Sequence, residues 1–436
     1  MKRYFYILLL LAQLLNLSSC SLSPTRKAIF YTELNHAKDP SLNTDQELCQ
    51  SSQFEILVSD QHPILFKILS GANFELSETN NFFVQFFKQA NIYEAFVFIH
   101  LLQMKINPER HSPFSTIQFV SSFPKKINHF STIDHFKHKN ETIYLLDFLK
   151  FLMLKHAKRF SFEDLSRIID RELDHKIYIS SEQAKFLKSI AHKNINSYFY
   201  QKYFSRNGLP LIENERRATP SLSQLKLFTQ IDQKHLEQTI KLQEYTAPFC
   251  EFSKEENENA PYSIPMTISI RQGETILTST SYFQYKFPFT SKAQPISKTQ
   301  LREDFFDTIL PTKNLPQCLF ATKNGSVYLI STEGQHKEQH LSHLKELKFS
   351  ETSKLSEIKA SLAYSRHLFL THPDRLLYET KRGRAEHIEK LLNLTIPFYH
   401  VENLGHILGF YLPHNGLVNM TNLLNDPRKK NVHTCR

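Results

Sequence analysis

In the first half of the chain, apolar residues recur at the three- and four-residue spacing of amphipathic helices. One such helix is predicted over about 141–158, after the first apolar run, which covers residues 83 to 104. Ser161 with Asp164 and Ser180 with Gln183 have the spacing of capping boxes, and each pair precedes another apolar run. These patterns predict several consecutive helices. The first run comprises Phe83, Phe86, Phe87, Ala90, Val97, Leu101 and Met104.

The second half of the chain has the period of two that is typical of half-buried strands. Met266-Thr267-Ile268-Ser269-Ile270 alternates strictly, and a turn at Gly273 follows it. Asn324-Gly325 lies between two apolar runs and predicts a β-hairpin. Further elements are expected as helices at about 337–363 and 383–392 and as strands at 367–371, 396–401 and 406–412.

Together the two patterns predict an α+β protein with two folded domains. A mainly helical N-terminal domain is expected at 54–245, followed by a mixed α+β C-terminal domain at 266–436. The segment 246–265 is rich in Pro and Glu and predicts a linker. Residues 20–53 are polar and fit a tether.

The N-terminus has the pattern of an export signal. A basic start at residues 2–3 precedes an apolar run that is too short to span a bilayer. The run ends in Leu17, Ser18, Ser19 and Cys20. This sequence resembles the lipobox of bacterial lipoproteins, in which an apolar residue and two small residues precede a cysteine.

The resemblance implies a signal peptide at 1–19, cleaved between Ser19 and Cys20, with a diacylglycerol on the Cys20 thiol and an N-acyl chain, such as palmitate, on its amine. The mature protein would be lipid-anchored in the bacterial cell envelope. Ser21 stands where an aspartate favours retention in the inner membrane. The outer membrane, on its periplasmic face or at the surface, is therefore favoured if the organism is Gram-negative.

The chain is basic, with 53 Lys and Arg against 43 Asp and Glu. In the envelope this charge favours an anionic envelope component or another envelope protein as partner, and it argues against nucleic acid. Arg382 and Arg384 form the densest basic patch and are candidates for anion binding. A solvated face paired with nearby glutamates is the alternative.

Glycine and cysteine usage argues against several classes of cofactor and metal site. With only 9 glycines, the chain has neither GxGxxG nor GxxxxGK[ST], so no nucleotide cofactor is expected. No CxxC supports a zinc ribbon or a thioredoxin-like site. Beyond Cys20, the residues Cys49, Cys250, Cys318 and Cys435 permit two disulfides in three pairings. Pairing within each predicted domain, Cys49 with Cys250 and Cys318 with Cys435, is attractive, but the sequence leaves the connectivity open.

The tripeptide His372-Pro373-Asp374 is similar to the HPD loop of J-domain co-chaperones. The first helix of that family has no counterpart upstream, and an envelope location would lack ATP for the usual partner. Pro-Asp after an apolar strand is also typical of a turn. We therefore interpret this tripeptide as a strand-to-turn transition.

A second candidate for chemistry is the His-rich stretch 398–416, in which His400, Glu402, His406 and His414 lie close along the chain. Such residues would suit a metal or an acid–base pair. The HExxH spacing is absent, however, and Glu402 to Gly405 is typical of a hairpin turn. We expect neither a metal nor a cofactor other than the lipid.

Since no catalytic motif is recognisable, the sequence favours a non-enzymatic interaction or structural lipoprotein. The alternative is a membrane-anchored hydrolase or metal-dependent enzyme with its site near residues 400–414.

Overall fold

The computed structural model describes residues 48–49, 54–58, 83, 85–108, 111–113, 115–123, 126–132, 143–173, 177–194, 198–219, 221–222, 233–244, 249–250, 263–284, 356 and eight strands between 317 and 435. Of the sequence features, Ser19, Cys20, His372-Pro373-Asp374, Arg382, Arg384, Glu402 and His414 lie outside the described residues.

The described part of the chain contains both helices and strands. The helices are α1 (Ile92–Ile106), α2 (Leu145–His156), α3 (Phe162–Leu173), α4 (Ser181–Asn194), α5 (Tyr198–Phe204) and α6 (Gln233–Thr239). The strands are β1 (Leu48–Cys49), β2 (Glu55–Val58), β3 (Thr116–Phe123), β4 (Lys126–Ser131), β5 (Ser205–Arg206), β6 (Leu209–Pro210), β7 (Gln243–Glu244), β8 (Phe249–Cys250), β9 (Ser263–Gln272), β10 (Thr275–Gln284), β11 (Gln317–Ala321), β12 (Val327–Glu333), β13 (His367–Leu370), β14 (Arg375–Glu379), β15 (Phe398–Val401), β16 (His406–Leu412), β17 (Leu423–Asn425) and β18 (His433–Cys435).

The strands form two larger sheets and two small ones. The large sheet has the order β1-β18-β2-β9-β10-β3-β4-β7, and all its pairs are antiparallel except β1 with β18. A five-stranded sheet has the order β17-β16-β12-β11-β8, a three-stranded sheet β13-β14-β15, and β5 pairs with β6. This mixture of helices and mainly antiparallel sheets confirms the α+β class.

Two compact units divide the chain. One comprises Met1–Leu42 with Ala363–Leu404 and includes the three-stranded sheet. The other comprises Asn43–Leu362 with Gly405–Arg436 and includes the remaining sheets and the helices. The division into a helical domain at 54–245 and an α+β domain at 266–436 stays a prediction. The large sheet takes strands from both segments, since β3 pairs with β10.

Local side-chain hydrogen bonds explain where three helices begin. The Asn91 side chain accepts from the backbone of Tyr93 and Glu94, and the Glu94 carboxylate accepts from the Asn91 backbone N–H. Residues 85–89 are helical as well, but this helical turn ends before residues 90–91, so α1 starts anew at a capping box and does not continue a single helix from Phe83, as the apolar run predicted. The boxes predicted at Ser161 with Asp164 and at Ser180 with Gln183 are confirmed by reciprocal hydrogen bonds.

Helix α1 is the centre of the core. Every residue of α1 except Tyr93 is buried, so this helix is enclosed on all sides rather than amphipathic. It contacts helices α2 and α3 and strands β9 and β10. Phe148 of α2 stacks on Phe130 of β4 at 4.7 Å, which holds the second helix against the large sheet. No helix among the described residues combines the length and apolar character needed to cross a membrane.

Candidate active site on the central strands

Strands β9 and β10 carry different chemistry on their two faces. The face toward α1 has Met266, Ile268 and Ile270 on β9, and all three belong to the hydrophobic core. On the opposite face the alternate residues carry hydroxyl groups, and each is at most 2% exposed. A sheet face that is both buried and polar is unusual, because buried polar groups cost free energy unless they are paired. We call this surface the hydroxyl face; it comprises Thr267, Ser269, Thr278, Thr280 and their neighbour Gln118.

The hydroxyl groups of this face are paired across the two strands. Thr267 lies opposite Thr280, and their Oγ1 atoms are 3.2 Å apart. Ser269 lies opposite Thr278 and donates from Oγ to Thr278 Oγ1 at 3.0 Å. The strand register thus sets a short row of hydroxyl groups at the middle of the sheet.

Gln118 of β3 extends this row and is its exceptional member. It lies directly opposite Thr280 and is only 3% exposed. Neither Oε1 nor Nε2 has a hydrogen-bond partner within the part of the chain that the structure describes. A buried carboxamide in this condition costs about 1–3 kcal/mol, and such groups in native proteins call for an explanation. A polar ligand on the hydroxyl face would supply the missing partners.

The hydroxyl face is turned toward the five-stranded sheet. Cα atoms of β12 approach those of β9 within 8 Å. Because α1 covers the other face of β9, the second sheet lies on the side of the hydroxyl groups. The candidate site is therefore an interior surface between two sheets, where water is scarce and polar interactions are strong.

The α1 side of β10 holds a second polar group of residues, formed by two serines and two histidines. Ser279 Oγ is 2.9 Å from His100 Nε2, and His100 Nδ1 is 2.9 Å from His111 Nε2. His111 Nδ1 is in turn 3.0 Å from Ser281 Oγ. We call these four residues the Ser–His chain. All four are at most 1% exposed.

The hydrogen bond that Ser281 donates sets which atom donates at each contact of the Ser–His chain. Ser281 Oγ donates to the Met266 carbonyl at 3.4 Å, so it accepts from His111 Nδ1–H. His111 Nε2 then accepts from His100, whose Nε2 accepts the Ser279 hydroxyl proton. Burial lowers the pKa of His111 to about 3. Burial, reinforced by His111, also holds the pKa of His100 well below its ordinary value, so both imidazoles are neutral.

Ser279 and His100 have the pairing of a nucleophile and a base, but their hydrogen bonds are already satisfied within the chain. His100 belongs to α1, Ser279 lies beneath that helix, and each is hydrogen-bonded within the group of four residues. The Ser–His chain therefore joins α1 to β10 as a satisfied polar network within an apolar core. The hydroxyl face, with its unsatisfied carboxamide, is the better candidate for ligand binding.

The His-rich stretch is divided between two sheets. His400 lies in β15 opposite Tyr378, whereas His406 begins β16 opposite Glu333. The prediction of a hairpin between these two strands is wrong, because β15 pairs with β14, whereas β16 pairs with β12 and β17. No group of metal ligands occurs among the described residues. A catalytic role for His400, Glu402, His406 and His414 stays a prediction.

The sequence pattern did not single out the hydroxyl face. The alternation in β9 was recognised, but its polar positions suggested a solvent-exposed side. Gln118 carried no signal at all. The available clue was the run Thr278-Ser279-Thr280-Ser281 in a ten-residue strand, which puts hydroxyl groups on both faces of β10. Strands buried on both sides usually carry apolar residues instead.

Comparison with known proteins shows the fold but no sequence family. No family model and no curated protein matches the chain. Among solved structures, cephalosporin acylase from Bacillus halodurans is similar over 90% of this chain and 97% of its own, with 8% identity and a TM-score of 0.50. The structure named LmbA2991T421A is similar over 90% and 99% of the two chains, with 7% identity and a TM-score of 0.50. The chain thus has a fold in common with these two proteins.

This finding corrects the functional expectation. The sequence favoured a non-enzymatic interaction or structural protein, and that interpretation is wrong, because one of the solved structures that share this fold over 90% of the chain is named as an acylase, which is a hydrolase. The alternative of a hydrolase is better supported than the main interpretation.

Proposed function

We propose that this protein is a membrane-anchored hydrolase that cleaves an acyl bond, an amide or an ester, on the hydroxyl face of its large sheet. The observation that carries the proposal is the buried Gln118 carboxamide beside Thr280. The likeness to an acylase supports the choice of reaction. In this assignment the substrate enters between the two sheets and places its acyl group against β3 and β10.

Gln118 has the chemistry that acyl transfer requires. Its Nε2–H₂ would donate to the carbonyl oxygen of the substrate and stabilise the negative charge that develops there. Thr280 Oγ1 is the neighbouring hydroxyl in the row and would add to the carbonyl carbon. Its proton would pass to the departing amine or alcohol, and water would then release the acid and restore the threonine.

Replacing Gln118 by leucine should lower the hydrolytic activity without lowering the free energy of unfolding. We expect kcat/KM for hydrolysis to fall about 100-fold, the usual effect of removing one oxyanion donor. The free energy of unfolding should stay equal or rise by about 1 kcal/mol, since the variant removes a buried carboxamide that has no hydrogen-bond partner among the described residues. Hydrolysis would be measured on the full chain with cephalosporin amides and chromogenic amide and ester substrates, and stability by urea unfolding.

Ser121→Ala is the matched control. Ser121 lies on the same strand, is fully buried, and its Oγ has no partner among the described residues, but it points to the α1 side. This variant should keep kcat/KM within about twofold. Equal losses in both variants, or an unchanged rate in Gln118→Leu, would show that the hydroxyl face is not the site.

The lipid anchor is proposed on the resemblance of residues 17–20 to a lipobox. A Cys20→Ala variant should lose labelling by a fatty-acid analogue and keep its signal peptide. A Ser21→Ala variant should be labelled and processed normally, because the lipidation reaction needs only the cysteine thiol. Labelling of Cys20→Ala would contradict the anchor.

A further inference from the structure

The four cysteines that follow Cys20 lie in strands that pair with one another. Cys49 of β1 is opposite Cys435 of β18 in a parallel pair. Cys250 of β8 is opposite Cys318 of β11 in an antiparallel pair. The strand register thus matches each cysteine with another cysteine, although 386 positions separate the first two.

We propose that Cys49–Cys435 and Cys250–Cys318 are the two disulfides of this protein. This connectivity differs from the within-domain pairing that the sequence made attractive. It also does not rest on the proposed hydrolase function.

Backbone placement fits the bond. Directly opposite residues of an antiparallel pair have Cα atoms about 4.5–5.5 Å apart, and neighbouring strands in general lie about 4.7–4.9 Å apart, which applies to the parallel pair. Disulfides require about 4.4–6.8 Å between Cα atoms, so neither pair needs a backbone movement. Opposite residues also share one face of the sheet. Each cysteine pair therefore has the Cα separation that the bond demands and a register position on one shared face of the sheet.

The reaction needs an oxidant, and an exported protein meets one. In each pair the two thiols lose two protons and two electrons as the S–S bond forms. A disulfide donor of the thiol–disulfide oxidoreductase class would accept them and be reduced to its dithiol. Thiol pairs of this kind persist as disulfides in envelope compartments and are kept reduced in the cytoplasm.

The first bond would secure the edge of the large sheet. Strands β1 and β18 have only two and three residues, so their few hydrogen bonds hold the edge weakly. Cys49 follows the proposed lipid attachment at Cys20 by 29 residues, and Cys435 lies in β18, the last described strand. The bond would tie the strand that follows the proposed tether to β18.

Disulfide mapping tests this connectivity directly. The full chain, exported through its own signal sequence, would be alkylated, digested without reduction and analysed by mass spectrometry. We expect linked peptides for Cys49 with Cys435 and for Cys250 with Cys318, and no alkylation at these four positions. Four alkylated cysteines, or linked peptides of either other connectivity, would overturn the proposal.

Single replacements give an independent readout. Cys49→Ser should expose one thiol, at Cys435, and leave the second linked peptide intact; Cys250→Ser should expose Cys318 alone. Release of a different cysteine in either variant contradicts the pairing. The double variant should expose two thiols and retain no linked peptide. Since wild-type mapping does not depend on these variants, failure of one of them to fold leaves the proposal testable.

Discussion

Replacing Glu94 by alanine should lower the free energy of unfolding by about 4 kcal/mol, because several backbone donors would lose their acceptor at once. Glu94 Oε2 accepts from the Asn91 N–H, which closes the capping box of α1. Oε1 accepts from the N–H groups of Lys158 and Arg159 at 2.7 Å each and of Phe160 at 3.2 Å. One carboxylate thereby fixes the start of the central helix to the segment that joins α2 to α3.

The charge of Glu94 is held by the same contacts. Burial alone would raise the pKa of this carboxyl, but the four backbone N–H groups outweigh burial and lower it below its ordinary value. The stability that Glu94 contributes should therefore be complete above its ordinary pKa of about 4.3 and be lost as the pH falls through the lower folded value.

Asp164→Ala is the matched control for this prediction. Asp164 closes the same kind of capping box at the start of α3, but the box is exposed and its carboxylate receives no N–H from a distant segment among the described contacts. Its loss should cost only about 1 kcal/mol. Both variants would be compared by urea unfolding at pH 7. Equal costs would show that the contacts with residues 158–160 contribute nothing.

Acid should destabilise the protein by about 1.5 kcal/mol as the pH falls from 6 to 5, because the Ser–His chain cannot accept protons while it is folded. In the unfolded chain His100 and His111 titrate near 6.5. In the folded chain burial lowers the pKa of His111 to about 3 and that of His100 well below its ordinary value. Below pH 6.5 the unfolded state therefore binds more protons, and stability falls with pH.

One buried carboxyl acts in the opposite direction. Burial raises the pKa of Asp147 to about 6, so between pH 6 and 4 the folded state binds a proton that the unfolded state lacks. The expected slope is the sum of the contributions of the two imidazoles of the Ser–His chain, of one with the same sign from half-buried His156, whose pKa burial and the nearby Lys155 lower, and of this opposing one. It would be measured by urea unfolding at intervals between pH 7 and 5.

Two variants separate these contributions. His111→Gln should reduce the pH dependence, since one of the two imidazoles of the Ser–His chain is removed. Asp147→Asn should steepen it, because the opposing group is removed. If either slope moves the other way, the assignment of the protons is incorrect. A flat wild-type curve from pH 7 to 5 would contradict the neutral Ser–His chain itself.

The elements predicted correctly from sequence are those whose determinants lie within a few residues. The capping boxes at Ser161 and Ser180 are confirmed because a side chain and a backbone group three residues apart meet whenever a helix starts. The turn at Gly273 is likewise confirmed by its positive φ of 58° between β9 and β10. The α+β class followed from the two spacings of apolar residues.

Strand partners depended on the whole chain, because β3 and β10 are more than 140 residues apart and no local pattern records which strands meet. The same holds for the hairpin expected at Glu402 to Gly405, whose strands join different sheets. It also holds for the polar residues of β9, which the alternation placed in solvent and the second sheet buries.

By itself the sequence determined the starts of α3 and α4, the fold class and a candidate lipid attachment at Cys20, since each depends on residues close together in the chain. Only the tertiary structure decided which cysteines are opposite in the strand register, that Gln118 is buried without a hydrogen-bond partner among the described residues, and that the chain shares its fold with a cephalosporin acylase. Burial and strand register arise only when distant segments pack together. They place the hydroxyl groups of the hydroxyl face in one row in the interior, where polar interactions are strong.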